Sequence, residues 1–531
     1  MKRFTNTGYR IQTMVLWLSL FLTFFTNITF YRHIIHDYGF SLVMVPKFIS
    51  VVLVLAAVNY LLLTLISFEK TIKWLIPLIL VVTSQTAYFM DLYDVVIDTN
   101  MIQNVVETNW AETRDLLSLR QVGYLLILAG IPSIAIWRIS LQSVSTKELW
   151  ISKLKGIGCA LVVIVLLILA FSKFYASFIR EHKPLRYYAN PGYYLYSLGK
   201  MSAEHMPRAK QKYQQIGLDA KQLKTEPGRK LIVLVVGEAA RWDHFSLNGY
   251  QRTTNPLMSR EQIINFSNFS SCGTETGVSV PCMFSSFGRE GYSKEKGATT
   301  DNVLDILQRA GVSVLWRDNN SDSKGVALRI PYEDFKSKPR NPECADGECR
   351  DEGLLSGLQK YLDTHTSGDV LIVLHQMGNH GPAYYKRYPA AFEKFTPVCR
   401  TNQLEQCSRD EIVNAYDNAL LYTDYFLNKT VTFLKGQNNK FQTALLYVSD
   451  HGESLGEKGV YLHGMPYHFA PEAQKHVGAF FWFSPSFPID RKKLAAQSNA
   501  DFSHDYLFHT LLGMFNVQTT VYKKELDMIQ R

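Results

Sequence analysis

The sequence predicts an N-terminal α-helical membrane domain of five transmembrane helices, followed by an α/β domain with a mainly parallel sheet and helices on both faces. Three observations carry that expectation. Five long apolar runs fall before residue 180. After residue 230, short runs rich in Val, Ile and Leu alternate with helix-like stretches, and six of the seven cysteines lie in this second part. Hydrophobic residues make up 47% of the 531 and charged residues 19%, which excludes a disordered chain. The net charge of +9 is scattered, with no basic stripe interleaved with aromatics, so no nucleic-acid partner is expected.

The apolar runs, at 12–32, 48–68, 74–90, 121–137 and 157–177, each approach the ~20 residues that cross a bilayer core. The first is too long for a cleaved signal peptide and lacks a small-residue cleavage site. The third is shorter and more polar than the first two. Lys2, Arg3 and Arg10 precede the first run, Lys70 and Lys73 separate the second from the third, and Arg138, Lys147, Lys153 and Lys155 separate the fourth from the fifth. Basic loops stay in the cytoplasm, so an odd number of spans places everything after about residue 178 on the other side.

Cysteine usage points the same way. Cys159 lies in an apolar run and reads as a small packing residue. The others form three near neighbours, Cys272 and Cys282, Cys344 and Cys349, Cys399 and Cys407. Six cysteines allow 15 pairings; short loop closure favours the neighbours, and an oxidising compartment lets them form. Residues 179–229 read as a juxtamembrane linker with interfacial helices. Tyr187, Tyr188, Tyr193, Tyr194 and Tyr196 stand there among Arg180, Lys183, Arg186 and Lys200, a mixture suited to a headgroup surface or to an ordinary surface linker.

From residue 230 to 531 the strands are read at LIVLVV (231–236), VSVLW (312–316), DVLIVLH (369–375) and TALLYVSD (443–450). Helices are read at 302–310 and 411–434. Ligands of such sheets collect beyond the carboxyl ends of the strands. There the sequence places Glu238 after the first strand, Asp450 and His451 after the last, and His380 after the third, with His463 further on. Carboxylates and imidazoles converging on one edge are metal ligands by type, suited to Zn²⁺ or Mn²⁺, although any one of them alone is as well explained as a cap or a satisfied hydrogen-bonder. Thr276, in SSCGTETGVSVPCMFSS, is either an N-cap or a nucleophile whose hydroxyl a metal would activate.

Several segments carry a resemblance to a known family: VVGEAARWDHFSLNGYQRTTNP, SCGTETGVSVPCMFS, LWRDNNSDSKGV, VLHQMGNHGPAYYKRYP, YDNALLYTDY and SDHGESLGEKGVYLHGMPY. Together they resemble the phosphoethanolamine–lipid A transferases, which include the enzymes of transferable colistin resistance and belong to the alkaline phosphatase/sulfatase superfamily. The resemblance runs essentially end to end. It implies a multi-pass protein of the inner membrane of a Gram-negative bacterium, with a periplasmic sulfatase-like catalytic domain over 230–531. It implies transfer of phosphoethanolamine from phosphatidylethanolamine to lipid A, conferring polymyxin resistance, by a monomer among membrane lipids. Thr276 would be the nucleophile, and Glu238, Thr276, Asp450 and His451 would hold a primary zinc. His380 and His463 would contact the phosphoryl group and, in some members, hold further zinc. Asn320, Ser321 and Lys324 match substrate-binding positions, and Asn104, Thr108 and Glu112 match residues that meet the ethanolamine headgroup. The six cysteines fit the family's disulfides.

Trp242, His244 and Glu275 have no assigned role on this reading. The alternatives are transfer to a core sugar, a glucan or a protein, transfer of phosphoglycerol, and a membrane sensor with a degenerate enzyme-like domain. The absence of a Cys-x-Pro-x-Arg motif argues against a sulfatase.

Overall fold

The structure, a computed structural model, describes residues 8–107, 113–114, 116–172, 174–175, 178, 183–205, 212–223 and 228–529. They fall into two compact units, a helical one within residues up to 107 and from 117 to 207, and an α/β one that takes 108–116 and everything from 208 onward.

Among the described residues of the helical unit, four helices are long and apolar enough to cross a membrane: Val45–Ile66, Ile72–Tyr93, Leu119–Arg138 and Thr146–Ala170. The first apolar run forms a bent pair of helices, and counted as one span it makes up the five that the sequence predicts. It forms Ile11–Phe25 and Ile28–Tyr38, bent by 54°. At the bend the Leu22 carbonyl accepts from the Thr26 N–H at 3.2 Å, from Thr26 Oγ1 at 2.7 Å and from Asn27 Nδ2 at 3.0 Å, so side chains share a carbonyl in the last turn of the first helix. The last span begins at Thr146, well before the apolar run at 157. A capping box between Ser145 and Glu148 starts the helix within polar sequence. Cys159 on that helix is exposed, so it is not the packing residue expected.

The helix Gly192–His205, in the segment expected to be a linker, groups with the helical unit. Asn190 explains why. Its backbone N–H donates to Asn27 Oδ1 at 2.8 Å, while Asn27 Nδ2 donates back to the Asn190 carbonyl at 2.9 Å. Where no water competes, such reciprocal bonds are the means by which polar residues join membrane helices.

The α/β unit is built on a seven-stranded sheet. In chain order its strands are β1 (Arg229–Gly237), β2 (Ile263–Phe266), β3 (Ser313–Asp318), β4 (Tyr332–Asp334), β5 (Val370–His375), β6 (Phe441–Ser449) and β7 (Ala479–Phe483). Their order across the sheet is β2-β7-β6-β1-β5-β3-β4. The five strands from β6 to β4 are parallel; β7 and β2 extend the sheet antiparallel. All four strands read from the sequence are present. Antiparallel β7 was not read, although AFFWF is an apolar run.

Alternation along β1 sends its side chains into two cores. Ile232, Leu234 and Val236 pack on one face with Val303, Leu307 and Phe508, and Leu231, Val233 and Val235 pack on the other with Tyr416, Leu420 and Leu427 of the helix Arg409–Gly436. Truncating one of these leucines to Ala costs about 2–5 kcal/mol, so the central strands hold the site's frame rigidly.

Candidate metal and phosphoryl-transfer site

Adjacent β1 and β6 end in register, Gly237 opposite Ser449. The next residues are therefore neighbours: Glu238 after β1, and Asp450 and His451 after β6. All three are fully buried. The loop after β5 closes over Glu238 at Gly378, whose φ is +48°. A Cβ there would lie 3.0 Å from the Glu238 carbonyl oxygen and 3.1 Å from its Cβ, so glycine is required.

Thr276 opens the helix Thr276–Met283 with Glu275 as N-cap, and no side chain caps that end. It is therefore the first helical residue and not the N-cap. The Cys272–Cys282 disulfide ties the preceding turn to the last turn of the helix. Thr274 fastens the same turn to the His463 segment, donating from Oγ1 to the Met465 carbonyl at 2.6 Å and accepting from the Gly464 N–H at 2.8 Å. The disulfides Cys344–Cys349 and Cys399–Cys407 are also formed.

These constraints bring the donor atoms of four side chains together. Thr276 Oγ1 is 3.1 Å from Glu238 Oε2 and 3.3 Å from His451 Nε2. His451 Nε2 is also 3.3 Å from Glu238 Oε1 and 3.4 Å from Asp450 Oδ2. A tetrahedral site with metal–ligand bonds of ~2.0 Å has edges of about 3.3 Å. Two further observations fit a cation. Glu238 Oε1 and Asp450 Oδ2 are buried without a hydrogen-bond partner. His451 Nδ1 donates to the Gly452 carbonyl at 2.8 Å, which leaves Nε2 as the ligand atom. Glu238, His451 and His463 form a second overlapping donor group, with ligand atoms within 4.8 Å of one another. His463 Nδ1 is oriented by Glu453 Oε2 at 2.7 Å, and Tyr384 holds the other oxygen of that carboxylate at 2.5 Å. The His380 ring lies 5.8 Å from that of His463.

Electrostatics of the protein groups also call for positive charge. Burial, followed by the Glu238 carboxylate, pushes Asp450 up to about 7. Burial acts to lower His451, but the Asp450 and Glu238 carboxylates override it and push the imidazole up to about 10. Burial would also raise Glu238, yet His451, His380 and His463 hold it well below the usual carboxylate range. A divalent cation answers the same demand.

Asn320 donates from its amide nitrogen to Glu238 Oε2 and to the Gln376 carbonyl, both at 2.8 Å, so its amide nitrogen is committed to holding Glu238. Ser321 and Lys324 are half-buried in the following loop, Lys324 with a φ of +48°. Asn104 lies half-buried on the helix Thr99–Glu107 of the helical unit, while Thr108 and Glu112 lie outside the described residues.

Sequence reasoning missed a buried relay behind the site. Asp318 Oδ2, at the end of β3, accepts from His375 Nδ1 and from Trp316 Nε1, both at 2.9 Å, and its Oδ1 accepts from the Asn320 N–H at 3.0 Å. An acid and an imidazole ending neighbouring strands in register, Asp318 opposite His375, is the signal that could have found it. The unassigned residues take structural contacts: His244 Nδ1 binds Asp417 Oδ1 at 2.7 Å, Trp242 stacks on His476 at 4.4 Å, and buried Glu275 lies 3.7 Å from Lys294 Nζ.

A parallel sheet whose carboxyl ends carry a hydroxyl, two carboxylates and imidazoles on one buried point defines an alkaline phosphatase/sulfatase-type enzyme. The comparisons agree. The Sulfatase family model matches residues 230–517, and the model of Phosphoethanolamine transferase EptA/EptB matches residues 55–206. The chain is 41% identical to the phosphatidylethanolamine transferase Mcr-1 of Escherichia coli over all of both chains. It superposes with a TM-score of 0.94, at 33% identity, on the integral membrane lipooligosaccharide phosphoethanolamine transferase A of Neisseria meningitidis, covering 98% of each chain. The C-terminal periplasmic domain of phosphoethanolamine transferase EptC from Campylobacter jejuni matches at 44% identity and a TM-score of 0.53, covering 60% of this chain and 97% of that one. The chain belongs to the EptA/Mcr family of phosphoethanolamine transferases. It is an integral membrane protein with several apolar spans and a periplasmic catalytic domain.

Proposed function

We propose that the chain transfers phosphoethanolamine from phosphatidylethanolamine to a phosphate of lipid A through an ester on Thr276, with zinc held by Glu238, Thr276, Asp450 and His451. One observation carries the reading: Thr276 Oγ1 stands at a helix N-terminus within 3.3 Å of both Glu238 and His451, beside two buried carboxylate oxygens that have no hydrogen bond among the described residues. Zinc there would lower the hydroxyl pKa and offset charge on the phosphoryl oxygens.

The protein groups do the rest. The Thr276 proton leaves along its hydrogen bond to Glu238 Oε2, and Oγ1 attacks phosphorus. The phosphorus–oxygen bond to diacylglycerol breaks, and the departing oxygen takes a proton from His463 or His380. The positive end of the helix Thr276–Met283 faces the phosphoryl oxygens. In the second half-reaction a phosphate hydroxyl of lipid A gives its proton to the imidazole that had protonated diacylglycerol, and its oxygen attacks the phosphorus of the ester; the bond to Oγ1 breaks, and Thr276 recovers its proton from Glu238 Oε2. Asn320 keeps Glu238 in place through both steps. The product carries a cationic amine, which lowers the negative surface charge that attracts cationic peptides such as polymyxin.

Mass spectrometry of lipid A from cells expressing the chain tests the reading. Phosphoethanolamine on a lipid A phosphate is expected, absent with Thr276→Ala. Unmodified lipid A with phosphoethanolamine on another envelope molecule would overturn the acceptor, and modification at normal levels by Thr276→Ala would overturn the mechanism.

A further inference from the structure

Beside the site lies a buried histidine that neither the metal cluster nor the transfer steps use. His504 is 1% exposed and stands in the segment SHDY near the C-terminal end of the α/β unit. Local pairing delivers it there. Phe502–Ser503 pairs in parallel with Phe269–Ser270, Ser503 opposite Ser270, so the residues that follow on the two segments run side by side. His504 follows on one segment, and Ser271 and Cys272 on the other. From the far side, the helix Leu507–Met514 buries Leu507, Phe508, Leu511 and Leu512 in the core and anchors the segment.

Both ring nitrogens of His504 are engaged, and their partners set the tautomer. Nδ1 accepts the Cys272 N–H at 3.0 Å. A backbone N–H can only donate, so Nδ1 carries no proton and Nε2 holds the one proton of a neutral ring. Nε2 donates it to the Ser449 carbonyl at 2.9 Å. Burial pushes the imidazole down to about 4, which agrees with a neutral ring. Ser279 Oγ stands 3.2 Å from Nδ1 and donates to the Asp450 carbonyl at 2.5 Å. These partners come from the two parts that transfer must hold in register. Cys272 lies in the turn before Thr276, and Ser279 is one turn beyond Thr276 on the same helix. Ser449 ends β6 and precedes Asp450 and His451. The Cys272–Cys282 disulfide ties the turn to its own helix, whereas His504 ties it to the strand.

We propose that His504 is a positioning residue, which ties the nucleophile's turn to the strand carrying Asp450 and His451 through Nδ1 on one side and Nε2 on the other. It rests on the reading that Thr276 is the nucleophile, and it adds what keeps Thr276 Oγ1 at its distance from the ligands. Breaking either bond leaves Glu238, Asp450 and His451 on their strands, so bound zinc is retained. What is lost is the alignment of the hydroxyl, and a misplacement of about 1 Å can cost on the order of a hundredfold in rate. Shape alone does not supply this: the tie needs an acceptor and a donor on opposite edges of one rigid ring.

The test uses three variants of the full chain. His504→Asn keeps an acceptor near the Nδ1 position and stops short of Ser449. His504→Gln reaches toward Ser449 with a donor and leaves Cys272 without an acceptor. His504→Leu fills the space and makes neither bond. Three quantities are read: bound zinc, the maximal rate of ester formation on Thr276 per bound zinc with its half-saturating phosphatidylethanolamine, and hydrogen exchange at the Cys272 amide. Asn and Gln should each slow the maximal rate about tenfold, the size of one lost hydrogen bond, and Leu should slow it on the order of a hundredfold. Zinc and half-saturation should stay near wild type. Cys272 exchange should rise in Gln and Leu and stay slow in Asn. A residue that only supported the fold would lower the folded fraction and leave the rate per bound zinc unchanged. A wild-type rate per bound zinc in Leu, or in both Asn and Gln should Leu fail to fold, would overturn the proposal, as would a loss confined to half-saturation. In either case an ester on Thr276 leaves the transfer reading standing. If the wild type forms no ester, the transfer reading fails, and Cys272 exchange decides the tie: equal exchange in wild type and Gln overturns it.

Discussion

Two buried polar clusters, one in each unit, are completed in opposite ways. In the helical unit, Asn27 and Asn190 satisfy each other with two reciprocal hydrogen bonds, and Thr86 Oγ1 adds a third to Asn190 Oδ1 at 3.0 Å. In the α/β unit, Glu238 and Asp450 each keep a buried oxygen that has no hydrogen bond among the described residues. A buried carboxylate oxygen without a hydrogen bond is costly, and two of them facing one imidazole and one hydroxyl fit a bound cation. The satisfied network is architecture, and the unsatisfied one is chemistry.

That comparison can be broken first at the metal cluster. Asp450→Asn replaces an anionic ligand with a neutral one. It should cut bound zinc at least tenfold, measured by elemental analysis, and abolish transfer, while the helical unit stays folded. Full zinc content in this variant would show that Asp450 Oδ2 is not a ligand.

The next largest effect is expected at the Cys272–Cys282 bridge. Cys272→Ser with Cys282→Ser should cost about 2–3 kcal/mol of stability in the α/β unit, for a closed loop of this length. It should also lower transfer, because the bridge braces the turn before Thr276. Thermal unfolding and transfer assays on the same preparation would separate the two effects. Unchanged activity with lowered stability would reduce the bridge to a staple.

A smaller effect should follow from Asn27→Ala in the helical unit. It leaves the Asn190 N–H without its acceptor and should cost about 1–2 kcal/mol, read by unfolding in detergent. Zinc content should not change. A loss of zinc here would mean that the two networks are not separate in function.

How legible each unit is in the sequence follows from the same contrast. Buried parallel strands are short apolar runs with sharp ends, so β1, β3, β5 and β6 were read within a residue or two. The residues beyond them, Glu238, Asp450 and His451, stand out because polar groups follow apolar ones abruptly. In the helical unit hydropathy reports contact with lipid and not helix length. The helix Thr146–Ala170 has only 11% of its most apolar window buried, and its polar first turns, TKELWISKLK, were read as loop. Ser145 and Glu148 carried the start signal in their capping spacing. Asn320 and the Asp318–His375 pair act by holding other residues, and that role depends on which strands are neighbours. The order β1-β5-β3 sets it, and strand order is not written in local pattern.

The central claim, that Thr276 carries the group in transit, is tested most directly by trapping the intermediate. The purified full chain is incubated with phosphatidylethanolamine in the absence of acceptor, digested, and mapped by tandem mass spectrometry. A phosphoethanolamine ester on Thr276, lost again when lipid A is added, is the predicted result. Transfer to lipid A with no ester at any time on the peptide carrying Thr276, or with the ester on another residue, would contradict it.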